Sequence, residues 1–169
     1  MKEVEEFFNQ LKDIQYGWHD KDGNIHKTLS EGNFKKDYFR QRTKDIMKSG
    51  YAICWELCEL EREFFQKRKI KHQVIMALYN DHRKYPCHTF VLFELEGRLY
   101  HFEASWESHK GIHEFDSLEE VIEYIREHFS DFAKRGYDKA CLEFYSYKKP
   151  FFRNCNFFYF NAMHGKRIG

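Results

Sequence analysis

Apolar positions recur every three to four residues in three separate stretches of the chain. Val4, Phe7, Phe8, Leu11 and Ile14 predict a short amphipathic helix at the start. Ile53, Leu57, Leu60 and Phe64 predict a second, ending in Gln66-Lys67-Arg68-Lys69. Leu118, Val121, Ile122, Ile125 and Phe129 predict a third, opened by the capping box Ser117-Leu118-Glu119-Glu120. A shorter helix, capped by Thr43, reaches Ser49, where Gly50 suits a left-handed C-terminal cap. Elsewhere the pattern is that of strands. His72 to Tyr79, with Val74, Ile75, Met76 and Leu78, reads as a buried strand, and Tyr85 to Glu94 as a second beyond the turn Asn80-Asp81-His82-Arg83-Lys84. Gly97 turns the chain into a third strand, Arg98 to Ala104, and a fourth runs from Ala140 to Tyr147. Tyr16 to Asn24 carries turn chemistry, the stretch to Asn33 has no period, and the aromatic run Phe151 to Phe160 fits either strand or helix. The chain shows no repeat, low-complexity tract or proline-rich linker.

Composition narrows the picture. A chain of 169 residues fits a single domain spanning residues 1–169 around one core, burying roughly 70% of the surface of the unfolded chain. With 18 Phe and 11 Tyr, aromatics reach 19%, so rings are expected to dominate that core. Net charge is only +1, which leaves no global field to attract nucleic acid or an anionic membrane. The basic, aromatic tail (Lys148, Lys149, Arg153, Lys166, Arg167) is too local to change that. No apolar run approaches the ~20 residues of a membrane span, and Met1 to Glu6 lacks the features of a signal peptide, so a cytoplasmic protein is expected. Five cysteines cannot all pair within one chain and show no Cys-x-x-Cys spacing, which argues for free thiols rather than a disulfide framework or zinc ribbon.

Three residues then carry candidate chemistry. Cys54 falls in the first turn of the second helix, where unpaired N–H groups and the helix dipole favour a thiolate and can hold an oxyanion. Glu56, Glu59 and Glu61 oppose that effect if they lie close. His88 is the candidate base and Glu103 the candidate group that orients it. A hairpin centred on Leu95-Glu96 would set His88 opposite Glu103, Phe90 opposite His101 and Leu92 opposite Leu99, with facing Cβ atoms about 4.5–5.5 Å apart. Thr89, Val91, Phe93, Tyr100 and Phe102 would take the other face.

Plainer readings stand beside these. A cysteine on an apolar helix is often a small buried hydrophobe, and a strand histidine is often structural. Cys58, one turn beyond Cys54, suits packing better than a strained disulfide, and Cys87 should point away from His88. His88, His101 and Glu103 also form a possible zinc set, although no metal or cofactor is expected. His72, His82, His109 and His113 lack helical His-x-x-x-His spacing and read as solvated or locally bonded.

Gly50-Tyr51-Ala52-Ile53-Cys54-Trp55 resembles the Gly-x-Cys-Trp nucleophile motif of the transglutaminase-like superfamily, within the papain-like fold, with wider spacing after Gly50. Cys87-His88-Thr89-Phe90-Val91 and Tyr100 to Trp106 resemble that family's histidine and acidic strands, so the likeness covers roughly Arg42 to Asp116. The resemblance implies an α+β fold in which the cysteine helix packs on an antiparallel sheet. It also implies acyl transfer with Cys54 as nucleophile, His88 as general base and Glu103, where aspartate is commoner, as orienting residue. The substrate would be a peptide, a protein or a small amide. Trp106 matches a position near the site rim, and Trp18, Tyr16 or Gln41 are candidates for a second oxyanion donor. Two rivals remain: a binding module that keeps the fold without turnover, and an acyltransferase resembling the arylamine N-acetyltransferases. Oligomeric state is not legible in the sequence.

Overall fold

The N-terminal stripe becomes helix α1 (Lys2–Leu11), which buries Val4, Phe7 and Leu11 in a computed structural model describing residues 1–81, 86–133 and 137–169. The segment with turn chemistry is more ordered than its sequence suggests. It forms β1 (Gln15–Tyr16), β2 (Trp18–His19) and β3 (Ile25–His26), with β2 and β3 antiparallel. One Asp20 oxygen stitches the turn between them, accepting the Asp22 and Asn24 N–H groups at 2.9 Å each. Helix α2 (Phe34–Asp37) follows, then α3 (Thr43–Ser49). Thr43 is the first residue of α3 rather than its cap, because its hydroxyl donates to Glu63 at 2.8 Å and Arg42 holds the cap position. Gly50 ends the helix at φ 69°, donating its N–H to the Ile46 carbonyl, as a left-handed cap requires.

Strand β4 (Tyr51–Ala52) pairs in parallel with β1 and leads directly into α4 (Cys54–Lys67). Then come β5 (His72–Tyr79), β6 (Cys87–Leu95), β7 (Arg98–Glu103), a 3₁₀ turn (Glu107–His109) and β8 (Gly111–Phe115). The end of the turn expected after β5 and Tyr85, expected to open the next strand, fall at 82–85, outside the described residues. Helix α5 (Leu118–Ala133), a 3₁₀ turn (Lys139–Cys141), β9 (Leu142–Tyr147), α6 (Cys155–Met163) and β10 (Lys166–Arg167) complete the chain. Ser117 caps α5 by accepting the Glu120 N–H, while the Glu120 carboxylate reaches back to the Asp116 N–H. The protein is therefore mixed α+β, with a six-stranded antiparallel sheet in the order β10-β9-β5-β6-β7-β8.

The single core expected from length divides into two clusters, because β5 and β6 are buried on both faces. Val74, Met76, Leu78, Val91, Phe93 and Phe102 meet Leu57, Cys58 and Phe65 of α4 on one side. Ile75, Ala77, Phe90, Leu92 and Phe144 meet Val121, Ile122, Ile125 and Phe129 of α5 on the other. Rings fill both layers, as composition suggested. Phe65 is fully buried and stacks on Phe93 at 4.8 Å, with Phe102 edge-on at 5.7 Å. Phe65→Ala is expected to cost about 3–5 kcal/mol in urea denaturation. A loss below about 1 kcal/mol would show that α4 does not dock through this ring.

Candidate functional site

Helix α4 is buried on nearly every side: Trp55, Leu57, Cys58, Phe64 and Phe65 are buried, and so are Glu56, Glu59, Glu61 and Arg62. Its N-terminus is fixed from two directions. Trp55 stacks on Phe158 of α6 at 3.6 Å, and Glu56 accepts the Gln41 N–H at 2.7 Å and the Ile53 N–H at 3.3 Å. Cys54, the first residue of the helix, stays partly accessible. As first helical residue it also has an N–H with no acceptor inside the helix.

His88 belongs to the opening residues of β6 and Glu103 ends β7. The hairpin between them turns at Glu96-Gly97, with φ 53° and 79°, not at Leu95-Glu96. Two successive positive φ angles make a two-residue turn whose twist matches that of the strands, and the glycine accommodates one of them. Leu92 consequently faces His101 and Val91 faces Phe102, a register two residues away from the expected one. A shift of two keeps every side chain on its face. His88 and Glu103 become diagonal neighbours instead of opposite ones, and the longer glutamate spans the gap. His88 Nε2 lies 2.5 Å from Glu103 Oε2, with both residues essentially inaccessible.

The carboxylate is held from behind. Its Oε1 accepts the Ser105 N–H at 2.8 Å, the Ser105 hydroxyl at 3.0 Å and the Trp106 N–H at 2.8 Å. Burial alone would raise the Glu103 pKa, but His88 and His101 outweigh it and hold the carboxyl well below the usual range. Burial likewise works against a charged His88 ring. Glu103 and hydrogen bonding with the Cys54 thiol overcome it and push the imidazole up to about 10. With Nε2 facing Glu103, Nδ1 is the ring nitrogen left for the sulfur. The ring of Trp106 packs edge-on against His88 at 5.4 Å.

The three acidic residues that the sequence places around the thiol lose much of their influence on folding. Glu59 is paired with Arg62 at 3.2 Å and lies 4.0 Å from Arg40. Burial pushes the Glu56 carboxyl up to about 7. Burial, with Glu103 nearby, raises Glu61 well above its ordinary value, which weakens its charge beside the thiol. Three of the other thiols are disfavoured as nucleophiles. Burial raises Cys58 well above the usual thiol range, Cys87 to about 12 and Cys155 to about 11. Cys87 points away from His88 and donates to the Tyr159 hydroxyl at 3.4 Å.

Of the three residues suggested as oxyanion donors, two are committed elsewhere. The Trp18 indole donates to the Thr28 carbonyl at 2.9 Å, and the Gln41 amide donates to the Tyr51 carbonyl at 2.7 Å and to Glu56 at 3.4 Å. Tyr16 is different: the β1–β4 pairing sets it level with Ala52, two residues before Cys54. Tyr16 is 47% exposed, and partial desolvation with the neighbouring Cys54 raises its phenol, which therefore keeps a proton to donate. No spacing rule links Tyr16 to Cys54, since a two-residue parallel pairing leaves no periodic trace.

In the zinc set His88–His101–Glu103 both imidazoles face the carboxylate, with His101 Nε2 3.5 Å from Glu103 Oε2, but the three do not form a ligand group within 4.8 Å of one another. The direct 2.5 Å bond between His88 and Glu103 also leaves no room for an ion between them. Clefts lined by Leu92, Arg98 and Leu118, and by His19, Phe39 and Arg153, lie elsewhere on the molecule. Among the described residues, no helix is long and apolar enough to cross a membrane. No family model, curated protein or solved structure matches the chain.

Proposed function

We propose that the protein is a cysteine-dependent acyl-transfer enzyme of transglutaminase-like, papain-like type, acting on an amide or peptide bond. The observation that carries this reading is the buried, bonded His88–Glu103 pair beside the thiol that opens α4. A ring that retains its proton up to about pH 10 serves as the resting store of the thiol proton. The Cys54 sulfur attacks the carbonyl carbon, and the oxygen takes up the negative charge within reach of the Cys54 N–H and the Tyr16 hydroxyl. His88 then gives its proton to the departing amine as the C–N bond breaks and a thioester remains. Water or a second amine attacks the thioester, passes a proton to His88 and releases the acyl group. Glu103 stays ionised throughout and keeps the ring oriented.

Incubation with p-nitrophenyl acetate followed by intact mass and peptide mapping tests this. A hydroxylamine-labile acetyl group is expected on Cys54 and absent from Cys54→Ala, with iodoacetamide alkylating Cys54 before Cys58, Cys87, Cys141 and Cys155. Slow, equal modification of all five thiols would leave a binding module instead. Acylation by acetyl-CoA at a comparable rate would favour the acetyltransferase-like alternative. Tyr16→Phe is expected to slow acylation about 10²-fold, the usual cost of one oxyanion donor, while alkylation, which builds no oxyanion, stays unchanged. Equal slowing of both reactions would remove Tyr16 from that role.

A further inference from the structure

A second cluster of ligand-type side chains lies where the 3₁₀ turn after β7 meets α5. His109 comes from that turn, while His128 and Asp131 sit three residues apart on α5, a spacing that puts both on one helix face. One ligand atom from each lies within 4.8 Å of the others. His109 is also oriented from behind: its Nδ1 is 2.5 Å from the Tyr124 hydroxyl, which leaves Nε2 facing Asp131 Oδ2 at 3.9 Å. That separation is long for a hydrogen bond. It is close to the ~3.4 Å between ligand atoms of a tetrahedral zinc with bonds of about 2.0–2.2 Å.

We infer that His109, His128 and Asp131 form a site for a divalent transition metal of zinc type, clamping the 3₁₀ turn to α5. His109 donates its Nδ1–H to Tyr124 and offers the Nε2 lone pair, the outer-partner arrangement typical of metal-bound histidine. The Asp131 side chain is 60% exposed, so rotation brings its oxygen the remaining distance, and water completes the coordination. Two imidazoles and one carboxylate suit zinc or cobalt better than magnesium or calcium, which prefer oxygen. The clamp also bears on the candidate catalytic site. Trp106 packs against both His109, at 4.2 Å, and His88, at 5.4 Å, and its N–H holds Glu103.

Cobalt titration of the Cys54→Ala protein, followed by visible absorption, tests the site without interference from the thiol–imidazole pair. One equivalent is expected, with the d–d bands of a nitrogen and oxygen site and no thiolate charge-transfer band. Asp131→Asn, at an exposed position that leaves the fold intact, should weaken binding at least tenfold, and His128→Ala should abolish it. Tyr124→Phe should weaken it about tenfold. Binding that survives Asp131→Asn unchanged, that carries a thiolate band, or that is absent at millimolar cobalt would overturn the site. Esterase and alkylation behaviour of Cys54 in wild-type protein is read separately, so either proposal can fail alone.

Discussion

Glu103→Ala is expected to lower unfolding stability by about 3–5 kcal/mol, because it strands a buried histidine without its counter-charge. The carboxylate it removes accepts three hydrogen bonds on Oε1 and faces His88 on Oε2, all in a part of the molecule closed to water. For a domain of this size such a loss corresponds to a fall in melting temperature of roughly 6–20 °C. The pH dependence separates the ion pair from simple packing. Glu103 has a depressed pKa when folded, so its contribution is present above the unfolded carboxyl value and is lost as pH falls. His88 has a raised pKa, so its contribution is complete below the unfolded imidazole value and is lost as pH rises towards about 10. Both act in full between roughly pH 4.5 and 6.5. Urea denaturation across pH 4 to 9 should therefore show the gap between wild type and Glu103→Ala greatest in that window and narrowing at alkaline pH. A gap that ignores pH, or stays below about 1 kcal/mol, would mean that the pair is not ionic.

The second large effect concerns the thiol. At pH 6 an isolated cysteine, with its pKa near 8.5, is well under 1% ionised, whereas an imidazolium beside the sulfur favours the thiolate. His88→Ala is expected to cut Cys54 alkylation by iodoacetamide at least tenfold at pH 6, even after the lower intrinsic nucleophilicity of a paired thiolate is counted. As pH rises past about 8.5 the variant should catch up with wild type, because its thiol then ionises unaided. Near-ultraviolet circular dichroism verifies that the variant is folded. Equal rates at pH 6 would sever His88 from the thiol and leave the acyl-transfer reading without its base.

Much of the scaffold around these residues is visible in the linear pattern. The stripes of α1, α4 and α5 and the apolar runs of β5, β6, β7 and β9 appear at their expected places because burial in each is periodic or continuous. What escapes is structure that rests on few residues or on distant partners. The two-residue strands β1 to β4 have no period to detect, β8 is only half buried along its length, and β10 is a two-residue edge. The aromatic run fits strand or helix equally from sequence, and α6 exists because the Asn154 side chain caps it at the Phe157 N–H while Phe158 docks on Trp55. The hairpin register depends on glutamate accepting a positive φ, which composition does not announce.

For the site, the sequence supplies the identity and order of Cys54, His88 and Glu103 but not their surroundings. Glu56, Glu59 and Glu61 read as a ring of negative charge. Folding instead buries them, pairs Glu59 with Arg62 and raises the Glu61 carboxyl well above its ordinary value. That outcome depends on Gln41 and Arg40, brought over α4 from a segment without periodic signal. The sequence offers Tyr16 only as one of three candidate donors and does not show the His109–His128–Asp131 cluster, because each joins elements whose meeting only the tertiary fold decides.

The parallel contact between β1 and β4 closes a loop whose outer part, residues 21–33, is almost entirely exposed while its base pairs beside the residues that lead into Cys54. Lengthening such a loop is cheap, about 0.6 kcal/mol for each doubling. Insertions or exchanges at its tip would therefore reshape what approaches the thiol while the sheet and the imidazole stay where they are. Under the proposed acyl-transfer function, selectivity and reactivity would be housed in separate stretches of the polypeptide, free to diverge at different rates.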